Sequence, residues 1–188
     1  MAKMGYLVIG TQYPGVAGGE GKDHMGSRED IDTVMDLYEI LKGYKRADTT
    51  KIGMYGGSRG GMMTYMCLRE VKWIRAAVIV AGLADECNAP EFRRGWETHQ
   101  KNMYGGSTAE QKRRSAIYWA KELPKETPLL LMHGTADWRV NPKDTMKMAR
   151  ELYKHKIPFR CILFEGADHG LTEYRRESRQ YTYDWFDR

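Results

Sequence analysis

The stretch Gly56-Gly57-Ser58-Arg59-Gly60 decides the fold, and it has the pattern G-x-S-x-G. It follows an apolar run at residues 51–55 and precedes a helix-like segment at residues 61–70. A strand, a serine between glycines and then a helix is the arrangement of a nucleophile elbow, which lifts the serine oxygen clear of the sheet. Because the turn is tight, the positions that flank the serine are expected to need glycine. The pattern alone is weak, since Gly-rich turns of this kind also bind phosphate or serve packing.

Arg59 follows the serine and is predicted to lie at the N-terminus of the helix. Backbone N–H groups at that end of a helix have no partner within the helix, and they favour negative charge. We therefore expect the Arg59 N–H to face an oxyanion that develops next to Ser58.

The rest of the chain alternates between apolar runs and helical spacing. Strands are predicted at residues 6–10, 51–55, 75–81, 128–132 and 159–164. Helices are predicted at residues 28–44, 61–70, 142–155 and 171–186, with Ser27 as the cap of the first. Continuous apolar strands that alternate with amphipathic helices favour a parallel sheet covered on both faces. The fold class is therefore α/β, a three-layer sandwich with about five parallel strands.

Residues 83–127 interrupt this alternation. They are polar, and they carry aromatic residues and the Gly105-Gly106 turn. An insertion here would lie beside the carboxyl ends of the strands, where open α/β sheets bind their ligands. A cap or substrate wall and an ordinary helical connection are both open, within a single domain that spans residues 1–188.

Two further polar residues follow strands in the same way as Ser58. Asp137 comes after the fourth predicted strand and His169 after the fifth. Parallel strands place all three residues on one rim of the sheet, and the chain order Ser, Asp, His is that of an α/β-hydrolase triad. His169 is expected to take the proton of the serine hydroxyl, and Asp137 to orient the imidazole.

Other titratable residues compete for these roles. Asp168 is a rival carboxylate, but a neighbour of the histidine in sequence usually points elsewhere. His133 is a rival base at a strand end, and its alternative role is packing in the sheet. Asp23 and His24 lie in a Gly-rich loop, and we expect them to be surface residues without partners.

Composition excludes several other classes of protein. The 188 residues carry a formal net charge of +5, but acidic and basic residues are interleaved, so no nucleic-acid arm is predicted. No apolar run is long enough for a membrane span, and no signal peptide precedes the first predicted strand. The spacing of the histidines and of Cys67, Cys87 and Cys161 fits no metal site. We expect reduced thiols, a cytoplasmic location, and neither a metal nor a cofactor.

The chain resembles the catalytic domain of the prolyl oligopeptidase family of serine hydrolases. The stretches that carry the resemblance lie at residues 5–15, 18–21, 51–61, 133–140 and 166–170. The resemblance implies Ser58 as nucleophile, Asp137 and His169 as its partners, and the Arg59 N–H as an oxyanion donor. It also implies cleavage of peptide or ester bonds, often after a residue such as proline in members that are peptidases.

The chain departs from the family pattern in two ways. Pro14 stands where the family commonly has arginine, so an ion pair made by that arginine is not expected. The family also has strands before residues 6–10, and the loop after one of them helps to build the oxyanion hole, so a truncated α/β-hydrolase is expected. Losing one oxyanion donor removes about 2.7–4 kcal/mol of transition-state stabilisation. The family's β-propeller is not present either, which favours small substrates.

These observations predict a serine hydrolase that cleaves carboxylic esters or short peptides through an acyl-enzyme. The alternative is a catalytically weak fragment that acts as a binding or scaffold domain. Tyr55 and Trp138 are candidates for the acyl pocket, and their alternative role is that of core aromatics beside strand ends. The sequence does not separate ester from peptide substrates, and it does not indicate an oligomeric state.

Overall fold

The computed structural model describes all 188 residues and contains one sheet of four parallel strands. The strands are β1 (Ile52–Gly57), β2 (Ile74–Val80), β3 (Leu129–Gly134) and β4 (Phe159–Phe164). They lie side by side in the order of the sequence, and each neighbouring pair is parallel. All the strand-end loops that matter below therefore emerge at one rim of the sheet.

Seven α-helices connect and cover the strands. They are α1 (Arg28–Gly43), α2 (Arg59–Glu70), α3 (Ala89–Phe92), α4 (Trp96–Tyr104), α5 (Thr108–Arg114), α6 (Pro142–Lys154) and α7 (Arg175–Phe186). Ser27 caps α1 as predicted, and its hydroxyl accepts a hydrogen bond from the Asp30 N–H in a capping box. No helix in the structure combines the length and the apolar character that a membrane crossing requires.

Alternate residues of the strands point to two separate apolar clusters. In β3, Leu129 and Leu131 belong to the cluster that contains α2 and α6, whereas Leu130 and Met132 join the cluster that contains Trp185 of α7. Side chains alternate between the faces of a sheet, so apolar residues at successive positions require cover on both sides. The predicted three-layer α/β fold is thus confirmed.

The first predicted strand is wrong. Residues 6–10 form no strand and make no backbone hydrogen bond to the sheet, and Val8 is 57% exposed. Only Tyr6 is fixed, by a hydrogen bond to Asp187 and by stacking on Tyr183. Apolar residues give a segment the character of a strand, but a strand forms only where a neighbouring strand offers a ladder. The sheet therefore has four strands rather than about five.

Methionine fills much of the space between α1 and α2. Met25, Met62, Met63 and Met66 are all buried in the larger cluster. A Cβ at Gly26 would lie 2.9 Å from the methyl group of Met62. The flexible thioether side chains thus pack against bare backbone at this junction.

The three cysteines are unpaired. Cys67 lies in the core, and burial raises the pKa of its thiol to about 12. A thiol with so high a pKa is unreactive, because the thiolate is the nucleophile. Cys67 therefore acts as a small apolar residue of the core.

Candidate active site

Ser58 occupies the turn between β1 and α2. Its backbone has φ 54° and ψ −120°, in a region that residues with a side chain rarely adopt. The Ser58 N–H donates to the Val80 carbonyl of β2 at 2.8 Å, so the ladder holds the strained residue from one side. This is the strand, turn and helix that the sequence predicted, and the strain falls on the serine itself.

Glycine is needed at only some of the positions around this turn. A Cβ at Gly56 would overlap the carbonyl oxygen of Gly60, and one at Gly61 would lie 2.6 Å from the Cα of Gly82. A Cβ at Gly60 would meet no neighbouring atom. The expectation that both flanking residues must be glycine is therefore confirmed for Gly56 and wrong for Gly60, where the carbonyl and not the Cα makes the close approach.

The Arg59 side chain joins the elbow to the loop before α1. Its Nη1 donates to Asp23 Oδ2 at 2.6 Å and its Nη2 to Asp30 Oδ2 at 3.2 Å. The guanidinium also lies over the ring of Tyr13, 4.4 Å from the ring centroid. Only 22% of the Arg59 side chain is exposed. The residue whose N–H follows the serine is thus fixed by two carboxylates and an aromatic ring.

The interpretation of Asp23 and His24 as surface residues without partners is wrong. Burial works to raise the pKa of Asp23, but the hydrogen bonds from Arg59 and Met25 N and the charge of Arg59 together outweigh it and lower that pKa. His24 is half-buried, and its Nδ1 lies 3.1 Å from the carbonyl oxygen of Met103. Both partners are distant in sequence, so the loop composition gave no signal for them.

The structure brings Asp137 and His169 together as predicted. His169 Nδ1 lies 2.7 Å from Asp137 Oδ2, and 15% of the His169 side chain is exposed. Asp168, the rival carboxylate, accepts instead from Gly170 N and from the backbone and side chain of Thr172. Asp168 therefore shapes its own turn, and Asp137 is the carboxylate that contacts the histidine.

Ser58 and His169 are not hydrogen-bonded to each other in this structure. The Ser58 hydroxyl makes no capping bond to its helix, and no hydrogen bond connects it to His169. Both residues follow carboxyl ends of strands at the same rim. Catalytic hydrogen bonds are commonly long without substrate and tighten when it binds.

His133 is the residue whose position sequence reasoning missed. It is fully buried, and its Nε2 lies 2.8 Å from Asp137 Oδ2, the same oxygen that contacts His169. Its Nδ1 lies 2.6 Å from Thr145 Oγ1 at the start of α6. The role of rival base therefore does not fit, and the residue does more than pack. The signal was the His133–Asp137 spacing of four residues across a strand end.

Asp137 accepts hydrogen bonds on both of its oxygens. Oδ2 faces the two histidines, while Oδ1 accepts from Arg139 N at 2.7 Å and from Val140 N at 3.0 Å. Burial alone would raise the pKa of this carboxyl, but the bonds from the histidines and the two amides hold the pKa well below its ordinary value. The residue is therefore a permanent anion beside His169.

A second group of buried carboxylates lies nearby, and the sequence did not reveal it. Asp85, Glu86 and Asp144 are buried, and Lys147 Nζ lies 2.8 Å from Asp85 Oδ2 and 3.8 Å from Asp144 Oδ1. We call these four residues the acidic cluster. Burial and the nearby charge of Asp85 raise the pKa of Asp144 to about 7. Asp144 Oδ1 and Glu86 Oε1 have no hydrogen-bond partner.

Glu86 is also the centre of residues 83–127. Its Oε2 accepts from Trp96 Nε1 at 3.0 Å, Gln100 Nε2 at 2.7 Å and the Tyr104 hydroxyl at 2.9 Å. All three donors lie in α4. A buried carboxylate is tolerated where several donors compensate its lost hydration. The connection is therefore organised around one acidic residue that follows β2.

Tyr55 and Trp138 are not core aromatics. Tyr55 is 52% exposed on β1, and Trp138 is 68% exposed in the loop that carries Asp137. Tyr55 lies three residues before Ser58, and Trp138 directly follows Asp137. The prediction that they line an acyl pocket remains a prediction.

Known proteins resemble the chain over most of its length. A family model, that of the prolyl oligopeptidase family, matches residues 1–188. The acylamino-acid-releasing enzyme of Sus scrofa is 26% identical over 96% of the chain, and the match covers 27% of that enzyme. An uncharacterised peptidase, YtmA, of Bacillus subtilis (strain 168) is 24% identical over 96% of the chain and 72% of that protein. The chain thus spans about a quarter of the length of the first curated relatives it matches.

Solved structures show the same fold. The acylaminoacyl peptidase of Pyrococcus horikoshii superposes with a TM-score of 0.76 at 22% identity, over 85% of this chain and 28% of that one. A puromycin-hydrolysing peptidase of Mycobacterium tuberculosis gives a TM-score of 0.70 at 23% identity, over 79% of this chain and 23% of that one. At these identities the likeness concerns the arrangement of strands and helices.

Proposed function

The chain belongs to the prolyl oligopeptidase family, and from that premise we propose that it is a serine hydrolase acting on carboxylic ester or short-peptide bonds. The observation that carries the proposal is the hydrogen bond of 2.7 Å between His169 Nδ1 and Asp137 Oδ2, at the rim where Ser58 stands strained on its elbow. A histidine oriented by a buried carboxylate, at the same rim of the sheet as a strained serine turn, fits nucleophilic acyl transfer.

The chemistry uses these residues in two steps. Ser58 Oγ attacks the carbonyl carbon while His169 Nε2 takes its proton, and the Asp137 anion stabilises the imidazolium that forms. The imidazolium returns the proton to the leaving alcohol or amine, which departs and leaves an ester on Ser58. Water then attacks this acyl-enzyme with His169 again as base, and the acid and free Ser58 are released. The Arg59 N–H is the oxyanion donor that we assign.

The substrate wall is proposed to come from residues 83–127. Arg114 of α5 donates to the carbonyl oxygens of His24 and Met25, and Arg113 donates to that of Gly26. These bonds tie the connection to the loop that holds the Arg59 side chain through Asp23. A cap anchored in this way limits the size of the acyl donor.

The exposed rings of Tyr55 and Trp138 are proposed to contact the acyl group. Small esters and short peptides, including N-acylated peptides of the kind that the name of the Sus scrofa relative indicates, are the substrates we expect. A cytoplasmic location is part of this proposal and fits three unpaired thiols, because cytosolic cysteines are kept reduced.

Labelling with a fluorophosphonate probe tests the proposal. The native protein is expected to be labelled, Ser58→Ala to be unlabelled, and Ser178→Ala to be labelled like the native protein. Ser178 lies in α7, and its hydroxyl donates to the Arg175 carbonyl of the same helix. Hydrolysis of p-nitrophenyl esters and of Gly-Pro anilides then separates esterase from peptidase. An unlabelled native protein, or equal labelling of Ser58→Ala, would contradict the proposed function.

The alternative function is a binding or scaffold domain with weak catalysis. It keeps the fold but does not need the strained φ at Ser58 or the saturated carboxylate of Asp137. Robust ester hydrolysis that is lost in Ser58→Ala excludes this alternative.

A further inference from the structure

We propose that His133, held by Thr145, is a positioning residue that keeps the Asp137 carboxylate aimed at His169. The inference rests on the proposed function for its kinetic consequence. The contacts that carry it are independent of any activity, and so is one of its tests.

Two imidazoles share one oxygen of Asp137. Asp137 Oδ2 lies 2.7 Å from His169 Nδ1 and 2.8 Å from His133 Nε2. His169 is partly exposed on a loop, whereas the His133 side chain is completely buried on β3. A rigid donor on the sheet thus fixes the plane of a carboxylate that otherwise depends on a loop.

The contacts of the His133 ring determine which of its nitrogens carries the proton. A carboxylate accepts only, so the nitrogen that faces Asp137 has to carry the hydrogen. In the neutral ring the other nitrogen is then an acceptor, and it lies 2.6 Å from Thr145 Oγ1, which can donate. The carbonyl of Val140, 3.2 Å from the same Nε2, is a second acceptor and favours the same tautomer. Thr145 therefore locks the form of His133 in which Nε2 is the donor.

The hydrogen bonds that support His169 begin in a helix and a strand. Thr145 is buried in the first turn of α6, and His133 ends β3. The chain of hydrogen bonds runs from α6 through Thr145, His133 and Asp137 to His169. A packed helix and a central strand thus support a triad whose other members stand on loops. Supporting groups of this kind matter because a shift of about 1 Å at the site lowers the rate by about 100-fold.

Nuclear magnetic resonance of the imidazole nitrogens tests the contacts directly. The chain has only five histidines, so the ring signals are separable after ¹⁵N labelling. We expect His133 to carry its proton on Nε2 alone, and the His169 Nδ1–H to give a low-field signal protected from water. In Thr145→Val the His133 Nδ1 loses its donor, so we expect the ¹⁵N signal of Nδ1 to shift while the proton stays on Nε2. In His133→Leu the His169 signal broadens because its acceptor is no longer fixed.

Kinetics with matched variants provide the second test. His133→Leu is expected to lower kcat by about 10- to 100-fold with little change in KM, because the acceptor and not the substrate contact is disturbed. His133→Gln places an amide N–H near the position of Nε2 and is expected to restore most of kcat. Thr145→Val is expected to lower kcat by about fivefold, the loss of one buried hydrogen bond.

Thr127→Val is the control for the loss of a buried hydroxyl. Thr127 is as buried as Thr145, and its hydroxyl donates to the Ile74 carbonyl at 2.8 Å, at the start of β2 and the opposite end of the sheet. It should lower stability in a similar way and leave kcat unchanged. Thr145→Val and Thr127→Val retain His133, so the test survives even if His133→Leu does not fold.

The outcomes separate this inference from the proposed function. A His133 ring with its proton on Nδ1, or a His169 signal unchanged in His133→Leu, overturns the positioning role whether or not the protein is active. Equal kcat losses in His133→Gln and His133→Leu, or equal effects of Thr145→Val and Thr127→Val, overturn it too. A native protein that the fluorophosphonate does not label contradicts the proposed function alone.

Discussion

Asp137 and Asp144 are buried carboxylates on the same stretch of chain, and their surroundings shift their pKa values in opposite directions. Asp137 accepts four hydrogen bonds, two from histidines and two from amides, and its pKa is lowered. Asp144 keeps one oxygen without a partner and faces the charge of Asp85, and its pKa is raised to about 7. Depth alone therefore does not decide the charge of a buried acid. The hydrogen-bond donors and the charges around it do.

The two residues also give the folded state opposite dependences on pH. The pKa of Asp137 is lower when folded than when unfolded, so its stabilisation is complete above pH 4 and is lost as the pH falls. The pKa of Asp144 is higher when folded, so the folded state loses stability as the pH rises from about 4 to about 7. The free energy of unfolding should accordingly be higher near pH 5 than near pH 8, as far as these two groups determine it.

The largest effect is expected from Asp137→Asn. The amide keeps the shape of the carboxyl but accepts on one side only, so its NH₂ group has to face either the two histidines or the Arg139 and Val140 amides. His169 thereby loses its counter-charge, and its orientation is disturbed. We expect kcat to fall by about 10⁴-fold, with the fold retained. Steady-state hydrolysis of a p-nitrophenyl ester, with circular dichroism to check folding, measures this. A loss of less than tenfold would mean that Asp137 is not the partner of the catalytic histidine.

A smaller effect of opposite sign is expected from Asp144→Asn. Asparagine removes the charge that burial and Asp85 oppose, so the free energy of unfolding at pH 8 should rise by about 2 kcal/mol. Near pH 5 the gain should be less than half as large, because Asp144 is then protonated in the folded protein and only its unfolded carboxyl is ionised. Urea denaturation at both pH values measures the difference.

Asp184→Asn, on the exposed surface of α7, is the control for this change. It should alter the free energy of unfolding at neither pH. A loss of stability at pH 8 in Asp144→Asn would show that the Asp144 anion is compensated after all, and that the contrast with Asp137 fails.

Lys147→Met sharpens the comparison by removing the cation of the acidic cluster. Burial works to lower the pKa of Lys147, but its bond to Asp85 and the charges of Asp85 and Asp144 together outweigh this and raise that pKa. The side chain is 37% exposed, so the loss at pH 8 should be only about 1 kcal/mol. The pH range over which stability declines should also move upward. Lys154→Met, at an exposed pair with Glu151, serves as the reference and should change stability less.

The smallest effect is expected from Asp168→Asn. This carboxylate lies next to His169 in sequence but binds its own turn at Gly170 and Thr172. Its removal should leave kcat within about threefold of the native value, because the buried carboxylate and not the neighbouring one supports the histidine. Measuring kcat of Asp168→Asn beside that of Asp137→Asn decides which carboxylate supports His169. A loss of a hundredfold or more would reverse the assignment.

The sequence predicted which residues follow the strands at the rim, because that depends on topology alone. Parallel strands place their carboxyl ends at one rim, so Ser58, Asp137 and His169 were assignable from the strands that precede them. The strand at residues 6–10 was predicted wrongly, because hydrophobicity signals that a segment suits a sheet and says nothing about a partner strand.

The contacts that hold and charge the site residues could not be predicted from the sequence, for a different reason. The Arg59–Asp23 ion pair joins residues 36 apart, and the acidic cluster joins Asp85 to Lys147, which are 62 apart. Side chains so distant in sequence meet only after the helices have packed, and no local pattern announces them. The sequence suggested His133 as a rival base, but its contact with Asp137 depends on how the loop after β3 turns.

The methionine packing between α1 and α2 allows oxidation to mark molecules that have unfolded. While Met62 and Met63 are buried, peroxide reaches their sulfur atoms slowly, but every unfolding event exposes them together. A sulfoxide formed in that interval is polar and bulky, and it does not fit back against Gly26. Under oxidising conditions a reversible transition thereby becomes irreversible. Sulfoxide content then records how often the region below the elbow has opened.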